Sequence, residues 1–247
     1  MAYPAAVPSN GSGPVDRPLR RRASPPEPPS PDARVAAGVE LWSARLDDPG
    51  AAGISHGWLD AAELLRAGRY RFEQDRLRFV ARRVFLRRVL AKYLDVPPKR
   101  VRYKDGHSWP ELAQRTDLVF STSHADGLAI VAVARDRRLG VDIERLRPVP
   151  EALELGRSLF ARAEADHLEA TATHDRAAAF LRLWTRKEAY VKALRVGLSM
   201  PLDTFSVLER AVPGGLEASV GGERFELASI DILPGYVGSV AVSVGRS

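Results

Sequence analysis

An α+β fold built of two similar halves is expected for this chain, and two features of the sequence predict it. A long amphipathic stretch, Phe72 to Leu94, precedes three short apolar segments, and a helical block from about Pro150 to Leu194 precedes further apolar segments. The turns between those segments are too short for the crossovers that a parallel sheet requires, so antiparallel pairing follows. Strand, helix, strands, helices, strands is the order of two small antiparallel sheets, each packed against a long helix. No sequence repeat marks the halves.

The elements follow in order. Residues 1–35 hold 9 of the 18 prolines and the run Arg20-Arg21-Arg22, with too few large apolar side chains to offset the entropy of ordering. A disordered Pro/Arg-rich tail is expected there, followed by an N-terminal half over 36–138 and a C-terminal half over 139–247. Val39 to Leu46 alternates as a strand does, and a Gly/Pro-containing loop follows. In the first long helix Phe72, Phe79, Val80, Val84, Leu90 and Leu94 fall near helical spacing. Arg76, Arg78, Arg82, Arg83, Arg87 and Arg88 lie between them and fit a solvated face, and Pro97-Pro98 ends the helix. Asp117 to Ser123, Leu128 to Ala134 and Leu139 to Glu144 read as strands joined by hairpins at Ala125-Asp126-Gly127 and Asp136-Arg137-Arg138. The helical block is interrupted near Ala170 to His174. Strands are then expected at Phe205–Leu208, Arg224–Ile232 and Tyr236–Val244, with turns at Gly214-Gly215 and Gly221-Gly222.

Composition narrows the function classes. The 247 residues are 45% hydrophobic and 28% charged and include no cysteine, which excludes a disulfide-stapled fold. A net charge of +6 favours polyanionic partners without choosing among nucleic acid, membrane surfaces, acidic proteins and phosphate-rich small molecules, and a solvated surface with some excess arginine fits it at least as well. No segment approaches the ~18 apolar residues of a membrane span, and the start has no signal-peptide core. A cytoplasmic protein is expected. Of the 37 basic residues only Lys92, Lys99, Lys104, Lys187 and Lys192 are lysines, which makes each one conspicuous.

Three constellations carry chemistry. In Gly140-Val141-Asp142-Ile143-Glu144 the period of a strand puts both carboxylates on one face, close enough to share a divalent cation; oxygen ligation suits Mg²⁺ or Mn²⁺. Taken alone, the short and common D-x-E pattern fits an ordinary solvent-facing strand better than a metal site. In Trp184-Thr185-Arg186-Lys187-Glu188-Ala189-Tyr190-Val191-Lys192 a helix places Trp184, Glu188 and Lys192 on one stripe bordered by Lys187. A half-buried Glu188 between lysines suits a third metal ligand or a general base, with the lysines on phosphate. The third is Ser121-Thr122-Ser123-His124 at a strand end, informative only beside the other two.

In this order the three motifs, with Gly197-Leu198-Ser199, Pro201-Leu202-Asp203 and Phe205-Ser206-Val207 after them, resemble the 4′-phosphopantetheinyl transferases of the surfactin-synthetase-activating type. The resemblance runs from about Arg66 to Val244. It implies a pseudo-dimer of two α+β halves with coenzyme A in the cleft between them. The activity implied is transfer of the 4′-phosphopantetheine arm to a serine of an apo acyl, peptidyl or aryl carrier protein, releasing 3′,5′-ADP. By motif position, Asp142, Glu144 and Glu188 would hold Mg²⁺. Glu188 would also help deprotonate the acceptor serine, and Lys192 would stabilise charge on the transferred phosphate. Lys187 would reach the coenzyme A phosphates, while Ser123, His124 and Arg66 would bind the nucleotide end. Trp109 stands where the family usually has the lysine of a Gly-Lys-Pro segment. Either His107 or a nearby arginine substitutes, or nucleotide binding is weaker.

A monomer that engages neither membrane nor nucleic acid follows from this reading. The alternatives are a metal-dependent nuclease and a non-catalytic basic binding module. The nuclease lacks its usual lysine, since Leu146 stands two residues after Glu144. The binding module leaves the three carboxylates unexplained.

Overall fold

The computed structural model describes residues 33–36, 38–48, 56–104, 110–196, 200–208, 216–220, 223–230 and 233–244. The expected tail up to residue 32, the Gly-His-Ser-Trp segment, the Gly-Leu-Ser segment and both Gly-Gly turns lie outside them. Among the described residues, eight strands form two antiparallel sheets. The first has the order β1-β2-β4-β3, with β1 at Ala33–Ala36, β2 at Val39–Arg45, β3 at Leu118–Ala125 and β4 at Leu128–Arg135. The second has the order β5-β8-β7-β6, with β5 at Leu139–Arg145, β6 at Leu216–Val220, β7 at Glu223–Ile230 and β8 at Tyr236–Ser243. Strand β1 crosses the boundary expected at residue 35.

The described residues also form five α-helices: α1 (Ala61–Ala67), α2 (Glu73–Leu94), α3 (Ala152–Leu159), α4 (Arg162–Ala170) and α5 (Arg176–Leu194). Alternation along the strands divides the core into layers. Trp42, Val131, Val133 and Phe120 pack against Phe85, Val89 and Leu90 of α2. The opposite face of the same sheet, Leu41, Leu128, Ile130 and Ala132, meets Leu139, Val141, Ile143, Val240 and Val242 of the second sheet. Phe225, Leu227 and Ala241 on the outer face of that sheet pack with Tyr190 and Val191 of α5. The result is helix, sheet, sheet, helix, with each half an antiparallel sheet on one long helix.

Four expectations need correction. The turn at Asp136-Arg137-Arg138 is not a hairpin: β4 already pairs with β2 and β3 on its two edges, so β5 pairs with β8 instead. Phe205–Leu208 is not a strand but an extended segment whose Phe205 and Val207 are buried, with Val207 N–H donating to Glu164 Oε1 at 2.6 Å. The second helical block breaks at Phe160 as well as near Thr171. Finally, α1 occupies part of the expected loop, started by an Asp60/Glu63 capping box.

Candidate active site at the seam of the two halves

Strands β3 and β5 are free edges of their sheets and run side by side. Val141 N–H donates to Ser121 Oγ at 3.1 Å and Ile143 N–H to Ser123 Oγ at 3.3 Å, so serine hydroxyls stand in for the carbonyls of a paired strand. Lys192 Nζ donates to Val141 O at 3.2 Å and meets Asp142 Oδ1 at 2.6 Å. Gly140 brings that lysine within reach: a Cβ there would lie 1.9 Å from the carbonyl oxygen of Ala189 and 2.6 Å from Ala193 N. Only a residue without a side chain lets α5 approach β5 so closely, and Glu188 and Lys192 each immediately precede one of those contact residues.

Asp142 is only 6% exposed, and its Oδ1 receives both Ser123 Oγ (2.8 Å) and Lys192. Its Oδ2, together with Glu188 Oε1, is buried with no hydrogen-bond partner among the described residues. Burial, and then the nearby Asp142 carboxylate, pushes the pKa values of Glu144 and Glu188 upward. No three acidic or imidazole groups among the described residues already converge on one point. Buried, unpartnered oxygens on mutually repelling carboxylates are nonetheless the donor chemistry that suits a hard divalent cation.

A basic cavity of about 370 Å³ opens on the other side of β3, lined by Arg66, Arg82, Arg83, Lys104, Phe79, Tyr103 and Thr122 among others. Arg83 is neutralised by Glu63 at 2.5 Å. Arg66 and Arg82 have no carboxylate partner among the described residues; their guanidinium carbons lie 5.5 and 5.6 Å from the Phe79 ring centroid. Arg82 Nη1 is 2.9 Å from both ring nitrogens of His124. Burial, then the Arg82 and Lys192 charges, depresses His124 to about 4, so it is neutral near pH 7. A second cavity of about 130 Å³, lined by Ser121, Leu139, Lys192 and Arg195, shares Pro110 and Thr122 with the first, so the basic cavity adjoins the space that Lys192 lines.

Asp142, Glu144, Glu188 and Lys192 are thus gathered at one seam, with Arg66 and His124 next to it, but two expected ligands are turned elsewhere. Lys187 does not reach the cleft. It is 0% exposed, pairs with the equally buried Glu164 at 2.7 Å and donates to Leu202 O and Phe205 O at 2.6 and 2.7 Å. On a helix the residue before Glu188 points about 100° away from it, here into the core. Ser123 and His124, neighbours on a strand, point to opposite faces, and only His124 is on the side of the basic cavity.

Sequence reasoning missed Arg82, Arg83 and Lys104. The signal was present: Arg82-Arg83 and Arg87-Arg88 are adjacent pairs on a helix, so both members cannot share the outermost direction. Arg87 is fully buried and donates to Glu63, Asp60 and the Val101 carbonyl, fastening α1 and the segment after α2 around the cavity.

Carboxylates and a lysine at a seam, beside an arginine-lined cavity, are groups suited to a phosphorylated ligand. Residues 138–240 match the family described as the 4′-phosphopantetheinyl transferase superfamily. The chain is 33% identical over 210 residues to the 4′-phosphopantetheinyl transferase HetI of Nostoc sp. strain PCC 7120, covering 83% of this chain and 87% of that protein. It is 26% identical over 170 residues to the transferase Sfp of Bacillus subtilis strain 168, covering 68% and 75%. To a phosphopantetheinyl transferase of Thraustochytrium sp. it is 28% identical over 219 residues, covering 79% and 76%. The chain belongs to the 4′-phosphopantetheinyl transferase superfamily and is an enzyme that transfers the phosphopantetheine group of coenzyme A to carrier proteins. Among the described residues no helix is long and apolar enough to cross a membrane.

Proposed function

We propose that the transfer is Mg²⁺-dependent, releases 3′,5′-ADP and takes place at the seam between β5 and α5. The carrying observation is the pair of buried, unpartnered oxygens, Asp142 Oδ2 and Glu188 Oε1, beside Lys192. Asp142, Glu144 and Glu188 are the residues that would hold Mg²⁺, which when bound neutralises pyrophosphate charge and polarises the phosphorus under attack. The acceptor serine oxygen forms a bond to the phosphorus bearing pantetheine, the bridging pyrophosphate bond breaks, and 3′,5′-ADP leaves with the electron pair. Glu188 takes the serine proton directly or through water. Lys192 offsets charge on the transferred phosphate. Arg66, Arg82 and His124 hold the nucleotide end, with Arg82 in the role of the lysine that the Trp109 segment lacks. The acceptors are apo acyl, peptidyl or aryl carrier proteins, and the protein acts as a cytoplasmic monomer without nucleic acid.

Incubating the protein with coenzyme A, Mg²⁺ and apo carrier proteins tests this by mass spectrometry. Wild type adds the mass of the arm, and Glu188→Gln lowers the rate about 100-fold or more, the scale of a lost general base. Unchanged transfer by Glu188→Gln, or full activity in EDTA, overturns the proposal.

A further inference from the structure

Ser123 lies on the same motif as His124 but does none of the same work. The residue is only 7% exposed, and its hydroxyl sits where the two sheets meet. It accepts from Ile143 N–H at 3.3 Å and spends its single proton on Asp142 Oδ1 at 2.8 Å. Lys192 Nζ approaches the same hydroxyl at 3.5 Å and the same Oδ1 at 2.6 Å. Two donors therefore converge on one oxygen of the carboxylate from two different elements, β3 and α5. A carboxylate fixed by one oxygen has its plane set and presents the other, and Oδ2 is the oxygen left buried and unpartnered. Ser121 supplies the comparison within the same strand: it accepts from Val141 N–H in the same way but, among the described residues, meets no carboxylate.

We propose that Ser123 is a positioning residue that orients Asp142 for the metal, and that it does not bind the nucleotide. The N-terminal half thereby sets the geometry of a ligand carried by the C-terminal half, and the hydroxyl acts on the metal through Asp142. The inference rests on Asp142 being a metal ligand, and the test separates the two.

Three variants, Ser123→Ala, Ser121→Ala and Asp142→Asn, are compared for the Mg²⁺ concentration giving half-maximal transfer, for coenzyme A affinity by calorimetry in EDTA, and for melting temperature. Ser123→Ala is expected to raise the Mg²⁺ requirement about 10-fold or more, as loss of an outer-shell partner does, and to leave coenzyme A affinity in EDTA within about 2-fold of wild type. Ser121→Ala, which removes the same kind of strand cap without touching a carboxylate, keeps the wild-type Mg²⁺ requirement. Ser123→Cys, similar in size and a poorer donor, shifts the requirement in the same direction and replaces the alanine variant should that one not fold. Weakened metal-free coenzyme A binding with an unchanged Mg²⁺ requirement overturns the proposal in favour of a nucleotide contact. Equal shifts in the two serine variants overturn it in favour of a simple staple between sheets. Wild-type activity at wild-type Mg²⁺ in Asp142→Asn removes the ligand assignment itself, whatever Ser123 does.

Discussion

Arg66 and Arg82 keep their guanidinium groups against one ring, Phe79, in a cavity where the third arginine is already neutralised by Glu63. Two uncompensated cations in a partly enclosed space repel each other, and the Arg82 pKa is drawn down by burial and by Arg83 and Arg66. A phosphate dianion relieves that repulsion, whereas a neutral group in the same place does not. Arg82 is the more enclosed of the two and also touches His124, so it should carry most of the recognition of the 3′-phosphate. Arg82→Gln is expected to raise the KM for coenzyme A about 10-fold, the scale of one lost charge-assisted hydrogen bond. It should raise the KM for 3′-dephospho-coenzyme A far less, so that the preference between the two substrates shrinks. Steady-state kinetics with both substrates reads this directly. An equal rise for both would place the Arg82 contact away from that phosphate.

The approach of α5 to β5 is a property of two elements, and Gly140 is where it is decided. An alanine there would set its Cβ 1.9 Å from a backbone oxygen of α5, which no rotamer change can relieve, so helix and strand must separate. Gly140→Ala should therefore cost about 1–3 kcal/mol of stability by overpacking. It should also reduce transfer by much more than the unfolded fraction explains, because the 2.6 Å contact between Lys192 and Asp142 depends on the same approach. Denaturant unfolding and turnover measured on the same preparation separate the two effects, and a loss of activity no larger than the loss of folded protein would refute the coupling. The sequence made the strand and helix of this pair legible, because the carboxylate spacing on Asp142 and Glu144 and the stripe Trp184, Glu188, Lys192 are local periodicities. It could not reveal that Lys187 turns inward to Glu164, since the partner lies on another helix and its carbonyl acceptors on a later loop. Nor could it separate β5 from β4: a short turn looks the same whether the next strand pairs back or crosses to another sheet.

The two halves are expected to fold as one unit, although each has its own sheet and long helix. Their sheets share one apolar layer, to which the second contributes Leu139, Val141, Ile143, Ile230, Val240 and Val242, each at most 5% exposed. Without residues 36–138 these six side chains face water, at roughly 1.5–3 kcal/mol each. That loss is comparable to the whole stability of an ordinary domain, roughly 5–15 kcal/mol. The outward N–H groups of Val141 and Ile143 would lose their serine partners as well. Residues 139–247 carry every carboxylate of the proposed metal site, yet expressed alone they should give no cooperative thermal transition and should bind a hydrophobic dye. The full chain should melt in a single transition, with Ser121 and Ser123 protected from exchange-linked opening as firmly as the core strands. A cooperative melt of the isolated 139–247 segment, or two separate transitions in the intact protein, would mean that the shared layer is a contact between finished domains.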